Sequence, residues 1–219
     1  MRAYYLTGAQ FAINNIALRR IKIPRYHDLN DPFELLGVNL ADRKDRKKFQ
    51  KYKVSMDKDQ GVICFSRRWS NPLLWGHYAE KHTGIALGFD LNDRYALPVI
   101  YADNLADCMI NPTSGLPSKE LMAELTRTKF RDWHYEDEVR FCCELDHTAA
   151  ESGRYFASFS DDLVLREVII GPKCDLPIAK VRDLVKNFSP KVKVIKARIA
   201  FTRFEVLKNK AATRADKKA

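Results

Sequence analysis

The sequence predicts a single α+β domain over residues 1–207, with mixed, mainly antiparallel sheets and flanking helices, followed by a basic tail over 208–219. Three observations predict it. The 219 residues exceed one typical domain of about 150 residues without reaching two. Hydrophobic residues make up 46% and charged residues 30%, enough for a core and incompatible with disordered, collagenous or disulfide-scaffold chains. Short apolar runs of strand length are interspersed with amphipathic runs of helical period, without repeats or a convincing linker.

In chain order, residues 3–7 read as a short strand closed by Gly8. Residues 9–18 space Phe11, Ile13, Ile16 and Leu18 as an amphipathic helix does. Residues 20–23 alternate charged and apolar, a second strand stopped by Pro24, and 25–34 form a loop rich in Asp, Asn and Pro. The basic run 42–53 makes a surface helix, and 61–65 a compact apolar strand. Asn71 and Pro72 supply an N-cap and a proline at the first helical position; the helix continues to His82, and Gly84 takes the left-handed position beyond it. Residues 85–89 and 99–101 return as strands, 111–117 are turn-rich, and Ser118 caps a helix running to 127. Residues 138–145 and 165–170 are strands, the second ended by Gly171-Pro172. Ile178, Val181, Leu184, Val185 and Phe188 mark a helical stripe over 177–188. Residues 191–195 and 199–206 alternate as strands, and disorder is expected from 208.

The net charge of +10 is peripheral. Residues 42–58 carry +5, 173–203 carry +7 and 208–219 carry +4, whereas 59–172 carry −7. The basic segments fit a phosphate-attracting surface for a nucleic-acid partner. A solvated helix, an exposed strand face and a loose tail account for them as well. Homeodomain, zinc-finger, basic-zipper and ribonucleoprotein signatures are missing. No apolar run approaches the ~20 residues of a bilayer span, so no membrane partner is expected. The start, Met-Arg-Ala-Tyr-Tyr-Leu-Thr, shows no long apolar h-region or small-residue cleavage site, so a secretory signal is not expected. Five cysteines, odd in number and without a C-x-x-C pair, read as reduced thiols of a cytoplasmic protein.

Four constellations could carry chemistry. In Tyr135-Glu136-Asp137-Glu138-Val139-Arg140, a strand beginning near Glu138 would project Glu136, Glu138 and Arg140 to one face. Two carboxylates in one cleft repel, so one pKa rises while the other group stays ionised. That division suits a positively charged, sugar-like transition state, with one carboxylate stabilising charge and the other handling a proton. A solvated strand start, with Arg140 neutralising a neighbouring acid, fits the same spacing. Between Trp75 and His82, helical spacing brings Trp75, Tyr78 and His82 near one face. They form either an aromatic wall for a planar ring, with His77 or His82 bonding to it, or a stripe of the core. His77 and His82 are five apart rather than four, and Glu80 does not mend the spacing, so no metal is expected.

In Asn30-Asp31-Pro32-Phe33-Glu34, Asn30 and Asp31 fold a turn on their own backbone. Phe33 would anchor that turn in the core and leave Asp31 or Glu34 for a partner. In Cys64-Phe65-Ser66-Arg67-Arg68, a hydroxyl and two guanidinium groups at a strand end suit a phosphate or an amide. Ser66 lies outside a G-x-S-x-G elbow, Cys64 sits in an apolar run, and no glycine-rich phosphate loop occurs.

The order of these patches, N-D-P-F-E, C-F-S, W-G-H-Y-A-E-K-H-T-G-I-A-L-G-F-D and W-H-Y-E-D-E-V-R, resembles a widespread bacterial family of unknown function over residues 4–171. Members of that family are often found among mobile and phage-defence genes. The resemblance implies a toxin or phage-defence effector, with a neutralising partner protein. A second resemblance, to ADP-ribosyltransferases, concerns mechanism. Those enzymes carry a His or Arg on a first strand, a strand ending in Ser or Thr, and a late Glu, within E-x-E in arginine-modifying members. Tyr4-Tyr5-Leu6-Thr7 resembles the first strand with Tyr5 at the His position, Phe65-Ser66 the second, and Glu136-Asp137-Glu138 the E-x-E. The departures are Tyr5 itself and a missing S-T-S triplet.

This second resemblance implies an ADP-ribosyltransferase-like fold and NAD as co-substrate. Glu138 would hydrogen-bond the ribose 2′-hydroxyl and stabilise the oxocarbenium-like transition state, and Glu136 would orient or deprotonate the acceptor. Tyr5 and Thr7 would hold the adenosine-side ribose, and Ser66 would brace Glu138. Tyr78 or Trp75 would stack on nicotinamide, and Arg67 or Arg140 would meet the pyrophosphate. Asn30, Asp31 and His77 complete the expected cofactor-binding set. Two other classes fit the sequence: a nucleic-acid-binding or metal-dependent nucleic-acid-cleaving protein, and a non-catalytic binding module with an aromatic pocket.

Overall fold

A computed structural model of the chain describes residues 1–108, 117–186 and 191–215. The first third runs β1 (Arg2–Thr7), α1 (Ala9–Leu18), β2 (Arg20–Ile23), α2 (Arg43–Asp59), β3 (Gln60–Ser66) and α3 (Pro72–Tyr78). The middle holds β4 (Ile85–Leu91), β5 (Ala96–Pro98), β6 (Ile100–Ala102), α4 (Lys119–Leu125), β7 (Thr128–Phe130) and β8 (Glu138–Glu144). The last third adds β9 (Tyr155–Ser158), β10 (Leu163–Ile170), α5 (Ile178–Lys186), β11 (Lys193–Ile199), β12 (Val206–Lys208) and α6 (Lys210–Ala215). Side-chain caps start four of the helices, α6 through Asn209, which accepts from the Ala212 amide. Asp42 accepts from the Lys44 and Asp45 amides, Asn71 from Leu73 and Ser118 from Leu121, each satisfying donors the helix leaves unpaired.

Eight strands form one sheet in the order β12–β11–β10–β4–β1–β3–β8–β5. All neighbours are antiparallel except β10 and β11, which are joined through α5 as a parallel pair requires. Two smaller pairs, β2–β9 and β6–β7, lie outside it. Alternation along the strands sorts the residues to two faces. Ala3, Ile63, Phe65, Phe89 and Val139 point into the main core, which α1 and α5 close with Ile16 and Val181. On the opposite face, Trp75 of α3 and Ala79 just beyond its end pack on Ala86, Ile169, Ile195 and Val206. The result is the α+β domain that the pattern predicted. Among the described residues, no helix is long and apolar enough to cross a membrane.

Some local expectations are corrected. α3 ends at Tyr78, not His82, because Glu80, Lys81 and His82 all adopt left-handed backbone with φ of 45°, 54° and 77°. Gly84 is therefore not the left-handed residue. It is needed for close approach: a Cβ there would lie 2.2 Å from the Thr7 carbonyl oxygen and 2.8 Å from Ala79 Cα. The expected strand over 199–206 is a turn between the end of β11 and the three-residue β12. The tail is helical over Lys210–Ala215, with Ala212 packed on the main core, in place of the disorder expected from 208. Residues 111–116 of the turn-rich stretch, Phe188 and residues 216–219 lie outside the described residues.

Candidate functional site

The antiparallel register places Tyr4 opposite Ser66 and Ser66 opposite Glu138, one rung across β1, β3 and β8. The next rung along β3 and β8 pairs Cys64 with Arg140. These side chains share the face turned away from the main core. Above them, α3 and the turn containing Asn30 enclose a cavity of about 230 Å³, with Glu136, Glu138, Lys129 and Tyr78 in its wall.

Glu136 does not reach the cavity from the strand. It ends a 3-10 helix over Arg131–Glu136, and Asp137 then turns left-handed, φ 46°, before β8 begins. Asp tolerates that conformation better than most residues. Its carboxylate pairs with Arg67 and Arg68, fixing the bend to the end of β3. The Asn71 side chain donates to the Tyr135 carbonyl at 3.0 Å and ties the start of α3 to the same bend.

Five buried charges alternate in sign beneath the cavity. Arg140 grips Glu34 with two bonds of 2.6 and 2.9 Å and donates to Glu138 at 3.0 Å. Lys129 Nζ donates to Glu138 at 3.1 Å and to Glu136 at 2.5 Å. The chain continues outward, with the Tyr78 hydroxyl donating to Glu136 and the Asn30 amide donating to the Tyr78 oxygen at 2.9 Å. Lys129 also lies 4.7 Å from the centre of the Trp133 ring. Three carboxylates against two cations leave the group with one formal negative charge.

The two central carboxyls are driven apart. Burial pushes both up, but for Glu138 the adjacent Arg140 and Lys129 charges prevail and hold it down at about 2. For Glu136 burial prevails over Lys129 and the Tyr78 bond, so its pKa is raised. Burial and the Glu136 charge push the Tyr78 phenol up, and burial pushes Tyr101 up to about 12. Tyr101 accepts a 2.8 Å bond from the Glu138 amide, which fixes the start of β8. Burial, then the Glu138 charge, raises the Cys64 thiol well above its ordinary value, so it is no nucleophile.

The predicted set divides on this geometry. Glu136 and Glu138 converge, and Tyr78, Ser66 and Asn30 border the same cavity. Arg140 is fully buried under Glu138 and cannot meet a pyrophosphate. Arg67 is turned to Asp137 and Ser66 is occupied by its own turn, its hydroxyl donating to the Arg68 carbonyl at 2.7 Å. Lys129 and Arg140, not Ser66, brace Glu138. Tyr5 borders the cavity, but its ring packs against Phe65 in the main core, and Thr7 shares that opposite face. Tyr4 and Leu6 are the residues of β1 on the carboxylate face. Trp75 is fully buried and its indole donates to the Trp69 carbonyl at 2.6 Å, so it stacks on no ligand. His77 is exposed beside the Tyr78 and Tyr135 rings.

The Asn30–Glu34 turn reverses its expected roles. Phe33 is 55% exposed, while Asp31 is buried and accepts from the Phe33 amide at 2.9 Å, and Glu34 is spent on Arg140. Lys129 escaped sequence reasoning altogether. Its one available signal was a lysine between apolar-leaning neighbours ahead of two acids. Among the described residues, no group of three or more His, Cys, Asp or Glu side chains could hold a metal ion. No family model matches the chain, and neither a curated protein nor a solved structure matches it.

Proposed function

We propose that the protein is an NAD-consuming enzyme, acting as an ADP-ribosyltransferase or NAD glycohydrolase, with the cavity over Glu138 as its active site. The observation that carries this reading is the split carboxylate pair within a buried group one positive charge short of neutrality. An N-glycosidic bond to nicotinamide brings a cationic ring and passes through a cationic sugar, and such a site favours both. Glu138, ionised throughout, accepts from the ribose 2′-hydroxyl and stabilises C1′ as the bond to nicotinamide breaks. The electron pair departs with nicotinamide. Glu136, whose affinity for a proton is higher, takes the proton of the attacking acceptor or water. Tyr78 orients Glu136. The cavity is smaller than the roughly 300–1,000 Å³ of pockets that enclose a whole drug-sized ligand, so it suits the nicotinamide-ribose end of the dinucleotide. The toxin or phage-defence role rests on the family resemblance of the sequence patches.

A metal-dependent nuclease fits less well, because the space between the two carboxylates is filled by the Lys129 ammonium. The test is nicotinamide release from NAD by the purified chain. Glu138→Gln should remove at least about 99% of the rate, in the range lost when a transition-state charge partner is deleted. Glu136→Gln should spare hydrolysis more than transfer to an acceptor. Wild-type rates in a folded Glu138→Gln variant, or no nicotinamide release by the wild type, would overturn the proposal.

A further inference from the structure

The turn between β11 and β12 has no part in the cavity, yet it presents the most exposed aromatic rings among the described residues. Phe201 is 91% and Phe204 100% exposed. The turn is well held: the Val206 amide donates to the Ser70 carbonyl at 2.8 Å, and Ala200 to Glu205 at 2.9 Å. The Arg198 guanidinium lies over the Phe201 ring at 4.9 Å. Phe204 stands between two grooves. Arg68, Ser70 and Leu73 line one, and His82, Ile199 and Phe201 line the other. Two bare rings on an ordered turn are a contact surface, not a packing residue.

The charge around them names the partner. Residues 191–208 hold six Lys or Arg against Glu205 alone. Lys196 is spent on the Gly171 and Cys174 carbonyls and Arg203 pairs with Glu205, which leaves Lys191, Lys193, Arg198 and Lys208, with Arg68 in the adjoining groove. Exposed rings with grooves on either side, among cations, are what single-stranded nucleic acid requires: bases stack on the rings and phosphates meet the cations. A duplex hides its base faces from such rings. Position links this surface to the carboxylates. Both grooves touch Pro72, the first residue of α3, whose last residue, Tyr78, bonds Glu136. Seven helical residues span about 10 Å, so a strand on Phe204 reaches the cavity within a few nucleotides.

We infer that single-stranded nucleic acid docks on the Phe201–Phe204 turn and is the acceptor class of the enzyme. The acceptor role rests on the NAD-consuming reading; the docking does not. In the transfer, a nucleophilic oxygen or nitrogen of the nucleic acid forms a bond to C1′ of the NAD ribose. The C1′–nicotinamide bond breaks, its electron pair leaves on nicotinamide, and the nucleophile's proton passes to Glu136.

The test uses the full chain with fluorescein-labelled oligo(dT) and oligo(U) of about 12 nucleotides, within the site sizes of single-strand binders. Anisotropy should show binding that weakens steeply with salt. Phe201→Ala with Phe204→Ala should weaken it by at least about tenfold, from lost base stacking, without lowering the unfolding temperature. Unchanged affinity in that variant, or binding to phosphatidylserine vesicles in place of oligonucleotides, would overturn the docking surface. Label from biotinylated NAD should appear on the oligonucleotide. NAD turnover with no label on the oligonucleotide would overturn the acceptor role alone. Oligonucleotide binding without any NAD turnover would remove the cavity reading and leave the docking surface standing.

Discussion

Replacing Arg140 by Met separates a structural brace from a ligand grip. The side chain is fully buried, and its guanidinium makes two bonds to Glu34, one to Glu138 and one to the Thr126 carbonyl. Met approximates the stem but leaves the buried Glu34 without its paired cation and Glu138 with Lys129 alone. Removing one partner of a buried ion pair costs about 3–5 kcal/mol. At about 4 kcal/mol, and about 2–4 °C per kcal/mol for a chain of this length, the unfolding midpoint should fall by about 8–16 °C at pH 7. The deficit should also depend on pH. In the wild type, Glu138 has a folded pKa of about 2, below its unfolded value, so its contribution is present above the unfolded value and lost as the pH falls towards 2. Without Arg140, burial pushes Glu34 further up. A carboxyl with a raised folded pKa favours folding below its unfolded value, and that contribution is lost as the pH rises. The gap between variant and wild type should therefore widen from about pH 4.5 to pH 7.5. Thermal unfolding followed by circular dichroism at several pH values measures it. Adding Glu34→Gln should recover about 0.5–3 kcal/mol through the coupling of touching residues. A midpoint shift under about 2 °C, or a gap that does not widen with pH, would refute the brace.

Tyr78→Phe removes the hydroxyl that donates to Glu136 and holds its carboxyl down. The acid limb of the pH profile for nicotinamide release should move to higher pH, and an unmoved limb would detach Tyr78 from the proton chemistry. Gly84→Ala places a methyl 2.2 Å from the Thr7 carbonyl oxygen and against Ala79 backbone, where neither neighbour is a flexible side chain. Urea unfolding should show a loss of about 3 kcal/mol or more, and a loss under about 1 kcal/mol would mean that β1 and the turn after α3 do not meet so closely.

The strands that build the site were legible because each is bounded by its own punctuation. Gly8 follows β1, Arg67 and Arg68 follow β3, and the acid-rich turn precedes β8. Alternation then fixed which residues share a face with Glu138, although choosing Tyr5 over Tyr4 put the first-strand tyrosine on the wrong side. The carboxylate pair was legible by spacing, yet the reason was different: a left-handed Asp137 aims Glu136 from a 3-10 turn. Spacing could not reveal Glu34 and Arg140 as partners, because they lie 106 residues apart and meet only through the fold. The aromatic helix was misread for a related reason. Helical spacing put Trp75 and Tyr78 near one face, but the helix straddles two environments: Trp75 enters a core while Tyr78 borders the cavity. Lys129 sits on a three-residue strand that is too short to carry a pattern.

The same ion pairs that hold the site together also set its charge. Glu34 and Arg140 form a closed, two-pronged pair at the bottom, and beyond a bond to the Thr126 carbonyl Arg140 gives Glu138 a single bond. Lys129 is then shared by two carboxylates, so the missing positive charge belongs to the Glu136–Glu138 end, at the cavity wall. A structural cluster with no ligand to serve would gain by closing that deficit, since an uncompensated buried charge is costly. A polar chain instead leads from Glu136 through Tyr78 to Asn30 at the cavity rim, where a group arriving from solvent can complete the balance. Glu138, held ionised by two cations, is prevented from taking the proton that would dissipate its charge. Glu136, held by one cation and a phenol, is free to take it. Two acids two residues apart thus differ in what they can do because the fold gives them different numbers of cations.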